Sequence, residues 1–230
     1  MKKYKYSYKS IQTIKYNQSS YCNAKGVNIN ELFKMDKGEK GEYYIFKCLN
    51  KIKDTNYKLV DLYIPIFNEN TVQIDLILIH PTGIYIIECK NISGDVYGDN
   101  FTEYWYIIYK NSKSFKMYNP ILQNNTHINA VKYILPNIHT SYFKSLIIIG
   151  NQTTKLENIY LDSSLFKYET HIFKRYNLYK PISNLLQNSP QVLSISDMTK
   201  IYNKLSNYTK VSDNIKSKHI YNIINTNKKA

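Results

Sequence analysis

Hydrophobic residues follow a helical spacing in the first patterned stretch of the chain. Asp36 can cap a helix, Glu39 lies three residues later as in a capping box, and Ile45 and Leu49 follow on one face. Glu42 lies three residues before Ile45 and seven before Leu49. The pattern therefore predicts a helix that begins after Asp36 and carries Glu42 on its buried edge.

The next stretch has the pattern of strands. Residues 58–66 are rich in β-branched and aromatic side chains, and the stretches 72–79 and 83–90 are strongly apolar. The last two are joined by His-Pro-Thr-Gly at 80–83, where proline and glycine stand at positions that suit a tight turn. We expect these two strands to form a hairpin.

The second half of the chain predicts two more strands, a helix and a covered strand. Residues 103–110 and 114–117 have strand patterns, and a helix begins at Asn119-Pro120 and ends at Pro136. Residues 145–150 are apolar on both faces, which is typical of a strand that is covered on both sides. A strand, a helix and a covered strand predict a right-handed parallel crossover onto the sheet of the hairpin.

Residues 168–173 predict an outer strand, and Ser196 is the expected cap of a short helix that carries Met198, Ile201 and Leu205 on one face. The fold class is therefore α/β.

Three segments divide the chain. Residues 1–30 are a basic polar extension without sustained periodicity, residues 31–206 form the predicted domain with its motif-bearing core at 36–150, and residues 207–230 are a polar tail.

The hairpin determines which side chains face each other. A loop of two or four residues pairs Ile79 with Ile84 and, further along, Asp75 with Glu88, so two carboxylates lie on one face. Side chains alternate along a strand, so Lys90 shares the face of Glu88. Like charges that oppose each other beside apolar neighbours are unfavourable, and a divalent cation would resolve this conflict.

Mg²⁺ prefers oxygen ligands and keeps several waters, which a pair of carboxylates on neighbouring strands can accommodate. The carbonyl of Cys89 could supply a third oxygen, and Glu42 is a further ligand, direct or through water. Lys90 could orient the attacking water or stabilise charge on a phosphate. The alternative is a structural cluster in which Lys90 only neutralises Glu88.

The charge balance indicates a negatively charged partner. The sequence has 31 Lys and Arg against 17 Asp and Glu, a net charge of +14, which attracts polyanions. Nucleic acid is the first partner to consider and an anionic membrane surface the second; a codon bias toward Lys and Asn would explain the same composition without any partner. Hydrophobic residues amount to 43%, enough for a globular core.

The three cysteines, Cys22, Cys48 and Cys89, have spacings that suggest neither a disulfide framework nor a zinc site. No secretory h-region follows the basic start, and no apolar run approaches a membrane span. These features favour the cytoplasm and no membrane association.

Asp75 followed by Glu88-Cys89-Lys90 resembles the D-x(n)-E-x-K signature of the restriction-endonuclease-like, or PD-(D/E)xK, nucleases. More narrowly, the chain resembles the nuclease-related domain (NERD) family. The matching pieces occur in family order: Gly38 to Glu42, Ile74-Asp75, Gly83 to Asn91, Gly94, Trp105, and Asn119 to Gln123.

The resemblance implies a restriction-endonuclease-like core, in which a helix, an antiparallel three-stranded meander, a second helix and a parallel strand form a central mixed sheet flanked by helices. It also implies that Asp75 and Glu88 hold the metal, with Lys90 and Glu42 assisting. Gln73 departs from the family, which often has a carboxylate there, and this puts a second metal position in doubt.

Polar residues on the two predicted helices are further candidates. Gln123 and His127 are four apart and share a face, where they resemble polar positions of the family and could contact the phosphate backbone or the attacking water; an exposed polar face is the alternative. Lys37 and Lys40 flank the start of the first helix, where backbone N–H groups favour an anion, and we expect them to position phosphate; a solvated basic turn is the alternative.

Tyr104 and Trp105 could stack on bases, but aromatic residues in strands more often pack in a core or against a residue of the paired strand, and we favour that interpretation.

The resulting prediction is a nuclease that hydrolyses phosphodiester bonds in DNA with Mg²⁺ or Mn²⁺, in DNA processing, plasmid maintenance or defence as the resemblance implies. One rival is a nucleic-acid-binding module that keeps the fold without catalysis, and another is a protein-interaction domain. The complete set of Asp75, Glu88 and Lys90 favours the enzyme.

Overall fold

Two β-sheets and their flanking helices make up the described part of the protein. The structure is a computed structural model that describes residues 18–32, 34–67, 70–111, 113–150 and 152–227. Its strands are β1 Tyr57–Pro65, β2 Thr71–His80, β3 Gly83–Lys90, β4 Asp95–Asp99, β5 Tyr104–Ile108, β6 Ser114–Tyr118, β7 Phe143–Ile149, β8 Lys155–Tyr160 and β9 Glu169–Lys174. Its α-helices are α1 at 18–25, α2 Ile29–Leu32, α3 Lys37–Leu49, α4 Pro120–Ile134, α5 Tyr179–Asn188, α6 Ile195–Ser206 and α7 Asp213–Asn227.

The first sheet has the strand order β1-β2-β3-β7-β9. Strands β1 to β3 form an antiparallel meander, and β7 and β9 run parallel to β3. Helix α4 lies between the meander and β7 in the chain, and β7 is parallel to β3, so the predicted parallel connection is confirmed. The predicted mixed sheet of a restriction-endonuclease-like core is confirmed as well, and the outer strand expected at 168–173 is β9.

The β2–β3 turn sets the register of the hairpin. Ile79 lies opposite Ile84, as predicted from the turn. Gly83 has a φ of 143°, and a Cβ there would lie 2.7 Å from the carbonyl oxygen of Tyr142, so a larger residue would be strained in two ways.

Both faces of this sheet are covered. Helices α4 and α6 pack on one face, around Ile77 and Ile86, while α3 and α5 pack on the other, around Leu78 and Tyr85. Alternate residues of the central strands therefore enter two different cores, which explains why those strands are apolar on both faces.

The second sheet, of order β6-β5-β4-β8, was predicted only in part. Strands β5 and β6 match the expected pair at 103–110 and 114–117, whereas β4 and β8 were not predicted. Trp105 is fully buried beneath this sheet, as we favoured, and its indole N–H donates to the carbonyl oxygen of Asp99 at 2.6 Å. Gly98 leaves room for the indole ring.

The helix caps follow the predicted rule with one correction. Asp36 and Glu39 form the expected capping box of α3, and Asn119 caps α4 by accepting from the N–H of Ile121 at 2.9 Å. Helix α6 is capped by Ser194, not by Ser196. Ser194 has an acidic residue three positions later, which completes a capping box, whereas Ser196 already lies within the helix.

The two ends of the described chain are better ordered than the sequence indicated. Helix α1 lies in the segment expected to be a basic extension, and its Tyr21 is fully buried. Helix α7 lies in the segment expected to be a polar tail, and its Lys216 and His219 bond to Asp61 and Thr71 of the meander. Residues 1–17 and 228–230 of these two predicted segments lie outside the described residues. Across the described ranges, none of the helices is both long and apolar enough to span a bilayer.

Candidate active site

Asp75 lies where the alternation of side chains along β2 breaks. Ile74 and Ile77 are three residues apart yet belong to the same core cluster, so the faces of the strand exchange between them. On the neighbouring strand β1, Asp61 lies opposite Asp75 and has a φ of 56°. This break corrects the predicted Asp75–Glu88 strand pair, because the β2–β3 ladder stops one position earlier, at Leu76 opposite Ile87.

The side chain of Asp75 nevertheless reaches β3. Its Oδ2 accepts a hydrogen bond from the backbone N–H of Cys89 at 2.8 Å, which places this carboxylate beside Glu88. Glu88 is 2% exposed, and its charge acts on that of Asp75. The two carboxylates are therefore neighbours, as predicted, although through a side-chain contact and not through strand pairing.

Lys90 connects β3 to helix α4. Its Nζ lies 2.6 Å from Glu88 Oε1 and donates to Gln123 Oε1 at 2.8 Å. The second oxygen of Glu88, Oε2, is buried without a hydrogen bond and lies 3.4 Å from His127 Nδ1, which is also unbonded. The site thus contains a buried carboxylate oxygen that accepts no hydrogen bond.

Glu42 approaches from the other face of the sheet on α3. The helix comes close to the end of β3 because Gly41 has no side chain: a Cβ there would lie 2.9 Å from the Sγ of Cys89. Glu42 is 9% exposed, and its Oε2 accepts from the Tyr21 hydroxyl at 3.2 Å and from Lys25 Nζ at 3.5 Å. Both partners belong to α1, which lies in the segment expected to be a basic polar extension.

Burial makes the acidic groups hold protons more tightly than usual. Burial, and after it the charge of Asp75, raises the pKa of Glu42 to about 7. Burial and the neighbouring Glu88 raise the pKa of Asp75, and burial raises that of Glu88 even though Lys90 opposes it. Carboxylates in this state favour a proton or a cation nearby.

The two basic groups beside them differ in charge. Burial disfavours the charged form of Lys90, but the contact with Glu88 outweighs it and raises the pKa of Lys90, so its ammonium stays charged. Burial, and next the charge of Lys90, lowers the pKa of His127 to about 3, so this imidazole is neutral at neutral pH.

The oxygen ligands suit Mg²⁺ or Mn²⁺. Among the residues that the structure describes, no three His, Cys, Asp or Glu side chains are grouped closely enough to hold a metal ion together. Mg²⁺, however, is commonly bound through one or two carboxylates and keeps several waters. Asp75 and Glu88, with the unbonded Oε2 of Glu88, fit that mode of binding.

Asp61 is an acidic residue of this cluster that the sequence reasoning missed. It is 5% exposed and accepts from Gln73 Nε2 at 3.0 Å and from Lys216 Nζ at 3.1 Å. Gln73, which stands where the family often has a carboxylate, therefore donates a hydrogen bond to Asp61. The sequence feature that could have identified Asp61 is its position as an aspartate in the middle of an apolar strand.

Asn124 is a second residue that was missed. It is fully buried, and its Nδ2 donates to the carbonyl oxygen of Ile86 at 2.9 Å and to the hydroxyl of Ser145 at 2.8 Å. These bonds attach α4 to β3 and β7 one residue after Gln123. A polar residue three positions after Ile121 on an apolar helix face was its signal.

The residues predicted to contact nucleic acid have different surroundings. Lys37 and Lys40 are exposed at the start of α3, and the side chain of Asn91 donates to the carbonyl oxygen of Lys37. The start of α3 is therefore tied to the segment that follows Lys90. His127 is 4% exposed and lies toward Glu88, because α4 packs against the sheet, so the exposed polar face that was its alternative is wrong. Its contact with a phosphate or with the attacking water stays a prediction.

Comparisons with known proteins match this arrangement. The model of a family described as "Nuclease-related domain" matches residues 37–150, which contain Glu42, Asp75, Glu88, Lys90 and Gln123. A protein of Bacillus anthracis described as uncharacterized is 32% identical over 102 residues, covering 43% of this chain. The matched stretch is 47% of that relative, so the chain spans about half its length. No solved structure matches.

Proposed function

Residues 37–150 belong to the nuclease-related domain family, and from this premise we propose that the protein is a metal-dependent nuclease that hydrolyses phosphodiester bonds in DNA. The observation that carries the proposal is the grouping of two carboxylates, the buried Glu88 and the half-buried Asp75, with the charged Lys90 at the end of β3. Strained charge clusters of this kind are typical of sites where chemistry occurs.

Asp75 and Glu88 are the residues that would hold Mg²⁺ or Mn²⁺, with the carbonyl of Cys89 as a third oxygen. When bound, the cation supplies positive charge that polarises the scissile phosphate. The buried, unbonded Oε2 of Glu88 supports this assignment, because a buried carboxylate oxygen without a partner is costly.

Lys90 stabilises the charge that develops on the phosphate. Its ammonium carries three N–H donors, and Glu88 and Gln123 occupy two directions around it. Both contacts hold the side chain in place before substrate arrives, so its charge needs no reorganisation during the reaction. Gln123 is thus a positioning residue for Lys90.

Glu42 accepts a proton from the attacking water. A pKa of about 7 lets this carboxyl exchange a proton near neutral pH, which is the range in which a general base is most effective. Tyr21 and Lys25 bind its Oε2 and fix its orientation.

The proposed partner is nucleic acid and not a membrane surface. The net charge of +14 and the exposed Lys37 and Lys40 beside the site support contact with phosphates. The proposed compartment is the cytoplasm, where the thiols of Cys22, Cys48 and Cys89 stay reduced.

A nucleic-acid-binding module without catalysis is the second candidate. The lack of three grouped metal-binding side chains within the described ranges favours it. It keeps the basic surface and the fold but predicts no dependence on a divalent cation.

Cleavage of labelled single- and double-stranded DNA and RNA with Mg²⁺, Mn²⁺ or EDTA tests the proposal. We expect cleavage of DNA only with a divalent cation. Lys90→Ala should bind DNA and lose ~10²–10³ in rate, whereas Asp75→Ala should lose cleavage and the response to metal. Lys200→Ala, which removes an exposed lysine on α6, is the matched control.

A wild-type protein that cuts no nucleic acid under any of these conditions, yet binds DNA, would move the assignment to the binding module. A folded Lys90→Ala protein that cuts as fast as wild type would refute the role of Lys90. Melting temperatures of all variants separate loss of folding from loss of chemistry.

A further inference from the structure

Aromatic rings cover the outer face of the second sheet. Tyr97, Tyr106, Tyr118 and Tyr160 are 38%, 51%, 43% and 73% exposed, and Tyr104 is partly exposed. We call these five residues the tyrosine face. They come from all four strands of the sheet, which places several rings side by side on one solvated surface.

The strand register puts the rings in adjacent rows. Tyr97 of β4 is paired with Tyr106 of β5, and Tyr104 is paired with Tyr118 of β6. In the second row Tyr160 of β8 is paired with Asp99 of β4. Paired residues on neighbouring strands have side chains about 5 Å apart, so Tyr97 and Tyr106 form one pair of neighbouring rings and Tyr104 and Tyr118 a second. Asp99 lies between Tyr160 and these pairs.

This face is separate from the hydrophobic core. Val96 and Trp105 point the other way and pack with Ile121 and Ile147 beneath the sheet. The tyrosines therefore add nothing to that core, and a cluster of exposed rings of this size is typical of a binding surface.

Lysines accompany the rings. The β5–β6 hairpin, residues 104–118, contains Lys110, Lys113 and Lys116 and no acidic residue. All three lysines are exposed, and Lys116 Nζ lies 3.5 Å from the centre of the Tyr104 ring. The hairpin thus presents positive charge beside flat aromatic surfaces.

A cavity of about 720 Å³ adjoins the same hairpin. It is lined by residues of the β5–β6 turn, including Tyr109, Lys113 and Phe115, and by Gly94 from the segment after β3. Its walls repeat the combination of aromatic ring and ammonium group found on the tyrosine face.

We propose that the tyrosine face binds a single-stranded nucleic acid, stacking its unpaired bases on the rings while the hairpin lysines contact its phosphates. Every base has a flat π surface, so stacking on aromatic side chains is sequence-tolerant, and unpaired bases are free to splay onto such a surface. Bases in a duplex are already stacked on one another. The inference deepens the proposed function and rests on it for its biological role, since it names single strands as the substrate class.

The tyrosine face is close to the candidate active site along the chain. β4 begins five residues after Lys90, a distance of at most ~18 Å for an extended chain. Hydrogen bonds hold this connection in place: Thr154 Oγ1 donates to the carbonyl oxygen of Ile92 at 3.0 Å, and the N–H of Lys155 donates to that of Gly94 at 3.2 Å. At the other end, Asn119 joins β4 to the start of α4, the helix that carries Gln123. A short, hydrogen-bonded connection therefore joins the tyrosine face to the candidate active site.

Binding in EDTA tests the inference apart from cleavage. The probes are fluorescein-labelled oligothymidylate and oligouridylate and a DNA duplex of equal length, followed by fluorescence anisotropy. Tyr106→Val and Tyr97→Val remove a ring and keep a residue suited to a strand, while Tyr106→Phe keeps the ring. Tyr133→Ala, which removes a 74% exposed tyrosine of α4, is the matched control.

We expect each Val variant to bind the single strands roughly 5- to 150-fold more weakly. Tyr106→Phe and Tyr133→Ala should bind like wild type, and the duplex should bind more weakly and respond little to the variants. The DNA and RNA probes decide which single strand is preferred.

Single strands that do not bind to wild type, or bind equally to Tyr106→Val, overturn the inference. A wild type that forms a dimer which Tyr97→Val dissociates also overturns it, because a second copy would then occupy the face. Metal-dependent cleavage of duplex DNA without binding of single strands would leave the proposed nuclease standing. Ring-dependent binding without any cleavage would instead leave the tyrosine face standing and refute the nuclease.

Discussion

Replacing Glu42 with Gln is expected to stabilise the protein at alkaline pH. Glu42 is 9% exposed, and burial, followed by the charge of Asp75, raises its pKa from 4.5 to about 7. A carboxyl group with a higher pKa in the folded state binds its proton more tightly when folded. Its stabilising contribution is therefore complete below pH 4.5 and is lost as the pH rises through about 7.

The size of the effect follows from these two pKa values. The interval from 4.5 to about 7, at ~1.4 kcal/mol per pH unit, corresponds to ~3 kcal/mol of unfolding free energy as an upper limit. The Gln amide is neutral at every pH and so avoids this loss. Its oxygen can still accept from Tyr21, and Lys25 keeps its bond to Glu39 Oε1 at 3.0 Å.

Urea denaturation at about pH 5 and about pH 8, either side of the folded-state pKa, measures the difference. Trp105 is the only tryptophan of the sequence and reports unfolding by its fluorescence. EDTA in all samples keeps divalent cations away from the site. Glu103→Gln, which removes an exposed carboxylate just before β5, is the control and should show no such gain.

Glu42→Gln should exceed wild type in stability by ~1–3 kcal/mol at the higher pH and by much less at the lower. A variant that is less stable than wild type at the higher pH would refute the reasoning, because Lys25 and Tyr21 would then outweigh the cost of burial. The same variant should lose cleavage, so stability and activity should change in opposite directions.

Three further outcomes are expected. Mg²⁺ at a hundredfold excess over its dissociation constant should stabilise wild type by ~2.7 kcal/mol and leave the melting temperature of Asp75→Asn unchanged in differential scanning calorimetry. Asn124→Ala should lower the unfolding free energy by ~2–4 kcal/mol in urea, because two buried groups lose their hydrogen bonds. A loss no greater than that of the exposed substitution Lys200→Ala would contradict this. Affinity for DNA should fall with added salt, and Lys37→Ala and Lys40→Ala should each reduce the slope of log K against log[salt] by ~1, with an unchanged slope counting against phosphate contact.

The local patterns in the sequence were sufficient for the first sheet. The turn at 80–83 fixed the hairpin register, and the capping residues Asp36 and Asn119 fixed the starts of two helices. These features depend on residues close together in the chain, so their physics can be read from a short window.

The exchange of faces at Asp75 could not be predicted in this way. It lies opposite Asp61 on the neighbouring strand β1, whose φ of 56° is unusual for a residue with a side chain. The pairing of Asp61 with Lys216 links positions that are 155 residues apart. Contacts of such long range leave no periodic trace in the sequence.

Strands β4 and β8 of the second sheet were not predicted because their sequences are not typical of strands. β4 reads Asp-Val-Tyr-Gly-Asp and β8 reads Lys-Leu-Glu-Asn-Ile-Tyr, and both contain residues that are depleted in strands. β8 is held in the sheet by its parallel pairing with β4, and this contact exists only in the folded chain. Helix α7 is mostly polar, so a tail was the natural expectation.

The acids of the candidate site lie within residues 37–150, but some of the groups that neutralise them lie outside this segment. Tyr21 and Lys25 come before it, and Lys216 comes after it. The segment that matches the family is therefore shorter than the part of the chain that supplies the contacts of the site. A change at Tyr21, Lys25 or Lys216 would therefore alter the hydrogen bonds and charges around these acids while the matched segment stays the same.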